Sequence, residues 1–324
     1  MSSKKILLFL LLIATAQGYA QISGCTDPLS KNYNPLATQN DGSCNYARKR
    51  VKPNFSVQLS SVLKETSSLL LWNSLLWTSN DDRDTTLYGM DTTGVIQKEI
   101  RLKKITNTEW EDMAQDSLHF YIGDFGNNVS GNRKDLHILR IEKESLTLDV
   151  PQIDTLSFSY SDQNDFRKLK PNTTNFDCEA FVVADDSIYL FTKQWKQKRT
   201  AVYALPKIPG NHVAQLKETY NIKGLITGAT YVPQKKIIAL SGYSKRLYPF
   251  IYLLYDYNNS NFFSGNKRKI KIALPFHQME GIATLDGLHY YLTNEKFVRK
   301  PIINSPQQLH SFDLSAFLGP FLIQ

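Results

Sequence analysis

Glu109-Trp110-Glu111-Asp112-Met113-Ala114-Gln115-Asp116-Ser117-Leu118-His119-Phe120-Tyr121-Ile122-Gly123-Asp124-Phe125-Gly126-Asn127-Asn128 opens on acids and passes through a short apolar segment and a polar turn. It then runs into an aromatic strand that ends among glycine and asparagine. The same order of acid, strand, turn and strand returns at 177–193, headed by Asp177-Cys178-Glu179, and at 278–295, headed by Met279-Glu280-Gly281. Two further copies, at 67–81 and 226–241, lack the leading acid. Repetition at about 40 to 70 residues, with strands in each unit, is the sequence mark of a β-propeller or a related array.

Working outward, each unit reads as four strands. The first falls at 68–71, 75–78, 86–90 and 95–102, and the second at 111–114, 118–122, 136–141 and 154–160. The third falls at 179–183, 188–192, 201–205 and 213–222, and the fourth at 228–232, 236–240, 250–255 and 269–274. The last has 280–284, 288–292 and 309–317, and then lacks an outer strand. Phe55-Ser56-Val57-Gln58-Leu59 stands ahead of the first unit with no unit of its own. A ring of sheets avoids an unpaired edge when its last sheet is completed from the opposite end of the chain. The expected fold is therefore all-β, a propeller of five blades closed by this amino-terminal strand. The insertion at 161–175 leaves six blades as the alternative. No 3.6-residue apolar stripe runs through these segments, which excludes a helical or Rossmann-type reading.

Residues 1–20 combine a basic start, an apolar run at 6–16 and small residues before Ala20, the pattern of a cleaved secretory signal. A competing reading attaches lipid at Cys25, because Ile22-Ser23-Gly24-Cys25 loosely fits a small-residue-then-cysteine site. No later stretch has the ~20 unbroken apolar residues that a membrane helix needs. The formal net charge of +8 falls to +6 without Lys4 and Lys5 (8 minus 2). That excess is modest and spread out, with local clusters at Arg48-Lys49-Arg50-Val51-Lys52 and Lys267-Arg268-Lys269-Ile270-Lys271. No nucleic-acid-binding signature accompanies these clusters, so they read as a solubilising surface and nucleic acid is not an expected partner.

Cys25 and Cys44 bracket a loop rich in Asn, Asp, Pro and Gly that cannot form a core. In an oxidising compartment a disulfide between them is the natural closure. The segment resembles thrombospondin type 3-like cysteine-bracketed modules of secreted Bacteroidetes proteins, on Cys25-Thr26-Asp27-Pro28, Asn32-Tyr33-Asn34-Pro35 and Asn40-Asp41-Gly42-Ser43-Cys44. That resemblance implies calcium at Asp27, Asn40 and Asp41, against a metal-free spacer. The expected organisation is a signal over 1–20, this module over 21–44, a basic linker over 45–53 and the propeller over 54–324.

The chemistry follows from strand order. First and second strands of a unit are antiparallel neighbours, so the start of one and the end of the other share a rim. The starts carry Glu111, Glu179 and Glu280, and the ends carry Asp124, Asn128, Lys193, Asn294 and Glu295. Converging carboxylates raise one another's pKa unless a cation neutralises them. An oxygen-rich setting without Cys or His suits a hard ion, Ca²⁺ before Mg²⁺. Glu111, Glu179 and Glu280 are the expected metal ligands, and the other five residues the expected ligand contacts. The competing reading is that these acids cap turns or pair with nearby bases. His119, His137 and His289 sit within strands and read as structural, and Cys178, flanked by acids, as a small core residue and a poor nucleophile.

Trp110-Glu111-Asp112-Met113-Ala114 … Tyr121-Ile122-Gly123-Asp124-Phe125-Gly126-Asn127-Asn128, Asp177-Cys178-Glu179-Ala180 and Met279-Glu280-Gly281-Ile282-Ala283 resemble the blade signatures of secreted bacterial β-propeller proteins. More distantly the domain is similar to calcium-dependent lactonase, gluconolactonase-like and phytase-like esterase propellers. The resemblance implies acids and Asn at a channel mouth, but no catalytic histidine or acid–base pair of those enzymes has a clear counterpart. Two functions follow: a secreted or surface binding scaffold with a calcium-binding acidic mouth, recognising a ligand or protein, and a calcium-dependent hydrolase of lactones or phosphoesters using the same mouth.

Overall fold

The structure, a computed structural model, describes residues 21–322. The expected signal peptide lies outside the described residues. The chain from Leu70 to Asp313 is a propeller-like series of antiparallel sheets. Unit one is Leu70–Trp72, Leu75–Thr78, Thr86–Met90 and Ile96–Arg101. Unit two is Trp110–Gln115, His119–Asp124, His137–Glu142 and Ile153–Tyr160. Unit three is Cys178–Ala184, Ser187–Thr192, Thr200–Pro206 and Gly210–Tyr220. Unit four is Leu225–Val232, Ile237–Tyr243, Pro249–Tyr255 and Asn266–Ile272. The last sheet runs Met279–Thr284, His289–Asn294, Gln308–Asp313 and then Phe55–Gln58. The amino-terminal strand pairs antiparallel with Gln308–Asp313, Val57 facing Leu309. Residues 161–177 contain no strand.

The sheets pack face to face through five apolar clusters, one between each pair of successive units. Trp77, Trp110 and Phe120 join units one and two; Phe125, Phe181 and Tyr203 join two and three. Phe191, Leu240 and Phe250 join three and four, and Ile251, Ile282 and Phe312 join four and five. Leu69, Leu76, Ala283 and Leu309 then join unit five back to unit one. Each fully buried side chain of this kind contributes about 1.5–3 kcal/mol, so the closing cluster matters as much as the others. First strands line the axis: Leu70, Met113, Phe181, Ala229 and Thr284, one from each unit, surround a space of about 60 Å³. Asp112 ties that axis together. Its Oδ2 accepts the backbone N–H groups of Phe181 (3.1 Å) and Ala229 (3.2 Å), so one carboxylate spans units two, three and four.

Several local departures from the sequence reading have identifiable causes. The outer strand Gly210–Tyr220 starts earlier than the 213–222 expected, because its first half pairs in parallel with Ile153–Tyr160 of unit two, from Leu156–Gly210 to Tyr160–Ala214. That pairing merges units two and three into one eight-stranded sheet. The strand read at 309–317 ends at Asp313, whose Oδ1 accepts the N–H of Ser315 and opens the helix Ser315–Leu322. Leu318 of that helix is buried in the cluster between units four and five.

Cys25 is joined to Cys44, which leaves no thiol there for lipid. The bracketed segment docks on unit four: Asp27 Oδ2 accepts the hydroxyls of Tyr46 (2.7 Å) and Tyr255 (2.5 Å). Asn40 Nδ2 donates to Asp256 Oδ2 (2.8 Å) and to Asn266 Oδ1 (3.0 Å). Two of the three residues that a calcium-filled module would use are therefore occupied in holding the segment to the sheets. Nor are residues 45–53 simply a linker. Lys49–Val51 forms a strand parallel to Asn266–Ile272 and covers the outer edge of unit four.

Candidate functional site: the acidic mouth

A backbone irregularity repeated in the first strands explains how acids reach the axis. In unit two Gly123 faces Asp112 and Asp124 faces Trp110, so Glu111 is an extra residue with no partner. In unit three Cys178 faces Thr192 and Ala180 faces Phe191, which leaves Glu179 extra. In unit five the same shift falls between Met279 and Ile282 and contains Glu280. In unit four the extra residue is Thr227. A β-bulge re-aims the side chain of its extra residue. Here three bulges turn three glutamates from the sheets' faces toward one rim. Gly126 makes room for the first, since a Cβ there would lie 2.0 Å from Glu111 Oε1.

Glu111, Glu179 and Glu280 line a single cavity of about 210 Å³, together with Asn128, Lys193 and Glu295. Six of the eight residues expected at the mouth are therefore in it. Asp124 and Asn294 are not. Asp124 is fully buried and holds its own loop, accepting N–H from Thr108 (2.9 Å) and Arg133 Nη2 (2.8 Å). Asn294 Nδ2 donates to the carbonyls of Glu295 and Pro306, and its Oδ1 accepts from His310 Nε2 at 2.7 Å. His310 Nδ1 then accepts from Ser56 Oγ (2.7 Å), so the closing amino-terminal strand is linked to the backbone beside Glu295.

The cavity's one cationic side chain is already engaged. Lys193 Nζ meets Glu179 Oε2 in a buried ion pair and lies over the rings of Trp195 (4.6 Å) and Tyr243 (5.3 Å). Burial works against its charge, but Glu179 and the other acids outweigh that and hold its pKa well above the ordinary lysine value. Glu179, expected as a metal ligand, is instead the partner of Lys193.

Sequence reasoning selected neither Glu65 nor Asp81 as a site residue. These two meet Glu295 at the cavity wall. Asp81 N–H donates to the Glu65 carbonyl (3.1 Å) beside a bridge between Thr66 and Asn80, which extends unit one beyond its regular strands. The backbone of Lys296 donates to the Lys64 carbonyl (2.8 Å) and brings Glu295 alongside. One carboxylate oxygen from each of Glu65, Asp81 and Glu295 lies within 4.8 Å of the others, a group that could hold a metal ion. Among the described residues this triad, rather than Glu111, Glu179 and Glu280, has that spacing. The signal that could have found it was the pairing of unit-one and unit-five ends across the ring closure.

The field around this triad is strongly negative. Burial, then Glu295 and Glu65, push the Asp81 carboxyl up to about 8. Burial and Glu65 push Glu295 up to about 7, with Lys193 acting against them. Glu280 and Glu111 are held well above the usual range, chiefly by burial. Asp81 Oδ1 is buried without a hydrogen-bond partner. The mouth thus assembles six carboxyls, those of Glu65, Asp81, Glu111, Glu179, Glu280 and Glu295, against Lys193. Such a set either keeps protons or takes a cation.

No protein-family model matches the chain, and no curated protein matches it in sequence. Solved structures that resemble it include the computationally designed Ika4 protein (8% identity, 61% of this chain and 94% of that one, TM-score 0.30). A 6-phosphogluconolactonase candidate from Bacteroides uniformis ATCC 8492 is another (13% identity, 76% and 71%, TM-score 0.35). A third is the β-propeller domain of Myceliophteria thermophila Cps50 (Swd1) (7% identity, 75% and 82%, TM-score 0.36). Likeness at this level carries no functional argument, which rests on the mouth itself.

Proposed function

We propose that the domain is a five-bladed propeller that works in an oxidising, extracellular setting and binds a ligand through a calcium-dependent acidic mouth. The observation that carries the reading is the approach of Glu65, Asp81 and Glu295 to within 4.8 Å beside the unpartnered Asp81 Oδ1. All-oxygen ligation by carboxylates suits a hard ion, Ca²⁺ before Mg²⁺ with its strict octahedron. Glu280 and Glu111, on the same cavity, would add outer-sphere charge, and Asn128 and the Lys193–Glu179 pair would meet the ligand's polar groups. The Cys25–Cys44 disulfide supports the oxidising setting, and no helix among the described residues is long and apolar enough to cross a membrane.

Calcium titration followed by calorimetry and thermal unfolding tests this. A bound ion stabilises only the folded chain, so the melting temperature should rise with calcium and fall with chelator. Asp81→Asn and Glu295→Gln should each remove most of that rise, while Glu179→Gln should leave it. A parent whose melting temperature is the same in calcium and chelator would end the proposal.

The Glu295 carboxyl, pushed up to about 7, beside the raised carboxyl of Glu280 favours a second reading, hydrolysis of a lactone or phosphoester, because a carboxyl that keeps its proton above the usual range can serve as a general acid. Calcium-dependent turnover of a lactone or aryl phosphoester panel, lost in Glu280→Gln, would select it over binding alone.

A further inference from the structure

The two basic clusters of the sequence, more than two hundred residues apart, are adjacent in space. Lys49–Val51 lies parallel to Asn266–Ile272, with Lys49 beside Ile270 and Arg50 directly beside Lys271. Facing side chains alternate along a strand, so Lys267, Lys269 and Lys271 share one face and Arg50 joins them there. Like charges directly opposite on neighbouring strands are destabilising. The chain nevertheless covers the edge of unit four with its most basic segment.

These side chains form the wall of a cavity of about 640 Å³, where Arg48 and Lys223 join them and Tyr248 and Phe250 supply an apolar side. No carboxylate lines it. Among the described residues none of these bases forms an ion pair. Lys267 is held by the carbonyls of Gly42, Phe263 and Gly265. Lys269 donates to the carbonyls of Ile222 and Lys223 (both 3.0 Å), with its ammonium 3.6 Å from the centre of the Phe250 ring. Burial, then Lys271 and Lys223, bring its pKa down to about 8. Arg50, Lys271, Arg48 and Lys223 project from exposed positions with their charges uncompensated. The volume lies within the range of small-ligand sites, well above what one oxyanion fills.

We propose that this cavity is a second binding site, separate from the acidic mouth, for a ligand that carries several phosphate or sulfate groups close together. Arg50 and Lys271 hold one anionic group between the paired strands, and Lys269 and Lys223 hold another near Tyr248. Opposed cations on adjacent strands then become a favourable arrangement once the anion sits between them. The same chemistry is offered by a small polyphosphorylated molecule and by a sulfated glycan. A single-stranded nucleic acid needs a row of stacking platforms, whereas here Tyr248 is the exposed ring and Phe250 is buried beneath Lys269.

Binding of inorganic phosphate, inositol hexakisphosphate and a size-defined heparin oligosaccharide to the disulfide-intact protein tests this, in chelator so that the mouth carries no calcium. One or both multivalent probes should bind and raise the melting temperature, far more strongly than inorganic phosphate, and weaken as salt rises from about 50 to 300 mM. Arg50→Ala with Lys271→Ala should weaken binding by about tenfold or more. Without probe that variant should melt no lower than the parent, since it relieves a like-charge contact. Arg101→Ala, on the outer strand of unit one, should bind as the parent does. Binding of the small probe points to a phosphorylated metabolite, and binding of the oligosaccharide alone to a sulfated chain. Failure of both multivalent probes, equal affinity for inorganic phosphate, or equal loss in Arg101→Ala overturns the proposal.

Discussion

Lys193 and Glu179 form an ion pair inside the acidic mouth, each side chain less than one-twentieth exposed. Removing one member of a buried pair strands the other's charge, at a cost of about 3–5 kcal/mol. Lys193→Met should lower stability on that scale, measured by denaturant unfolding. Adding Glu179→Gln should restore part of the loss, because the uncompensated carboxylate disappears with it. A single-variant loss below about 0.5 kcal/mol would show that the pair is not buried as described.

The raised carboxyls fix the direction of the pH response. Unfolded Asp and Glu titrate near 4, whereas Asp81 and Glu295 keep their protons to about 8 and about 7 in the folded chain. The folded state binds more protons over this interval, so stability falls as pH rises from about 4 to about 8. His310, held down to about 3, slopes the opposite way below about 6.5, and Lys269, held down to about 8, does so above about 8. Between pH 6.5 and 8 the carboxyls should therefore dominate, and melting temperature in chelator should drop across it. Calcium replaces those protons and should flatten or reverse the slope. A flat profile in chelator would contradict the assigned environment of Asp81 and Glu295.

Deleting residues 54–59 should expose the edge of Gln308–Asp313 and remove Leu59 from the cluster that joins unit five to unit one. Aggregation or a large loss of thermal stability is expected. Unchanged solubility and melting temperature would show that the amino-terminal strand does not complete the last sheet.

Cys178 is buried and is the free cysteine of the chain. Thiol titration should find no reactive group in the native protein and one after denaturation without reductant. Three would mean that Cys25 and Cys44 are not joined.

The strand pattern of the mouth was readable because acids recur at one position of a period-two signal. Glu111, Glu179 and Glu280 do reach one cavity with Asn128, Lys193 and Glu295. What the pattern could not carry was the bulge, since one extra residue alters pairing without altering alternation. Nor could it show which acids sit close together. Glu65 and Asp81 meet Glu295 only through contacts across the closure of the ring. Asp124 was misread for a related reason: the acid at the end of a strand also serves to hold its own turn, and Arg133, nine residues later, claims it. The basic clusters were visible, but their adjacency depends on a strand pairing that no local pattern announces.

The hydrogen bond between Ser56 and His310 spans 254 residues of chain. Contacts so distant in sequence slow folding, because a long loop must be closed before they repay its entropy. Until residues 308–313 have emerged, Phe55–Gln58 has nothing to pair with, and the four preceding sheets wait as an open arc with apolar faces at both ends. During folding that arc is the species most exposed to self-association, and the rate at which its two ends meet sets how long the exposure lasts.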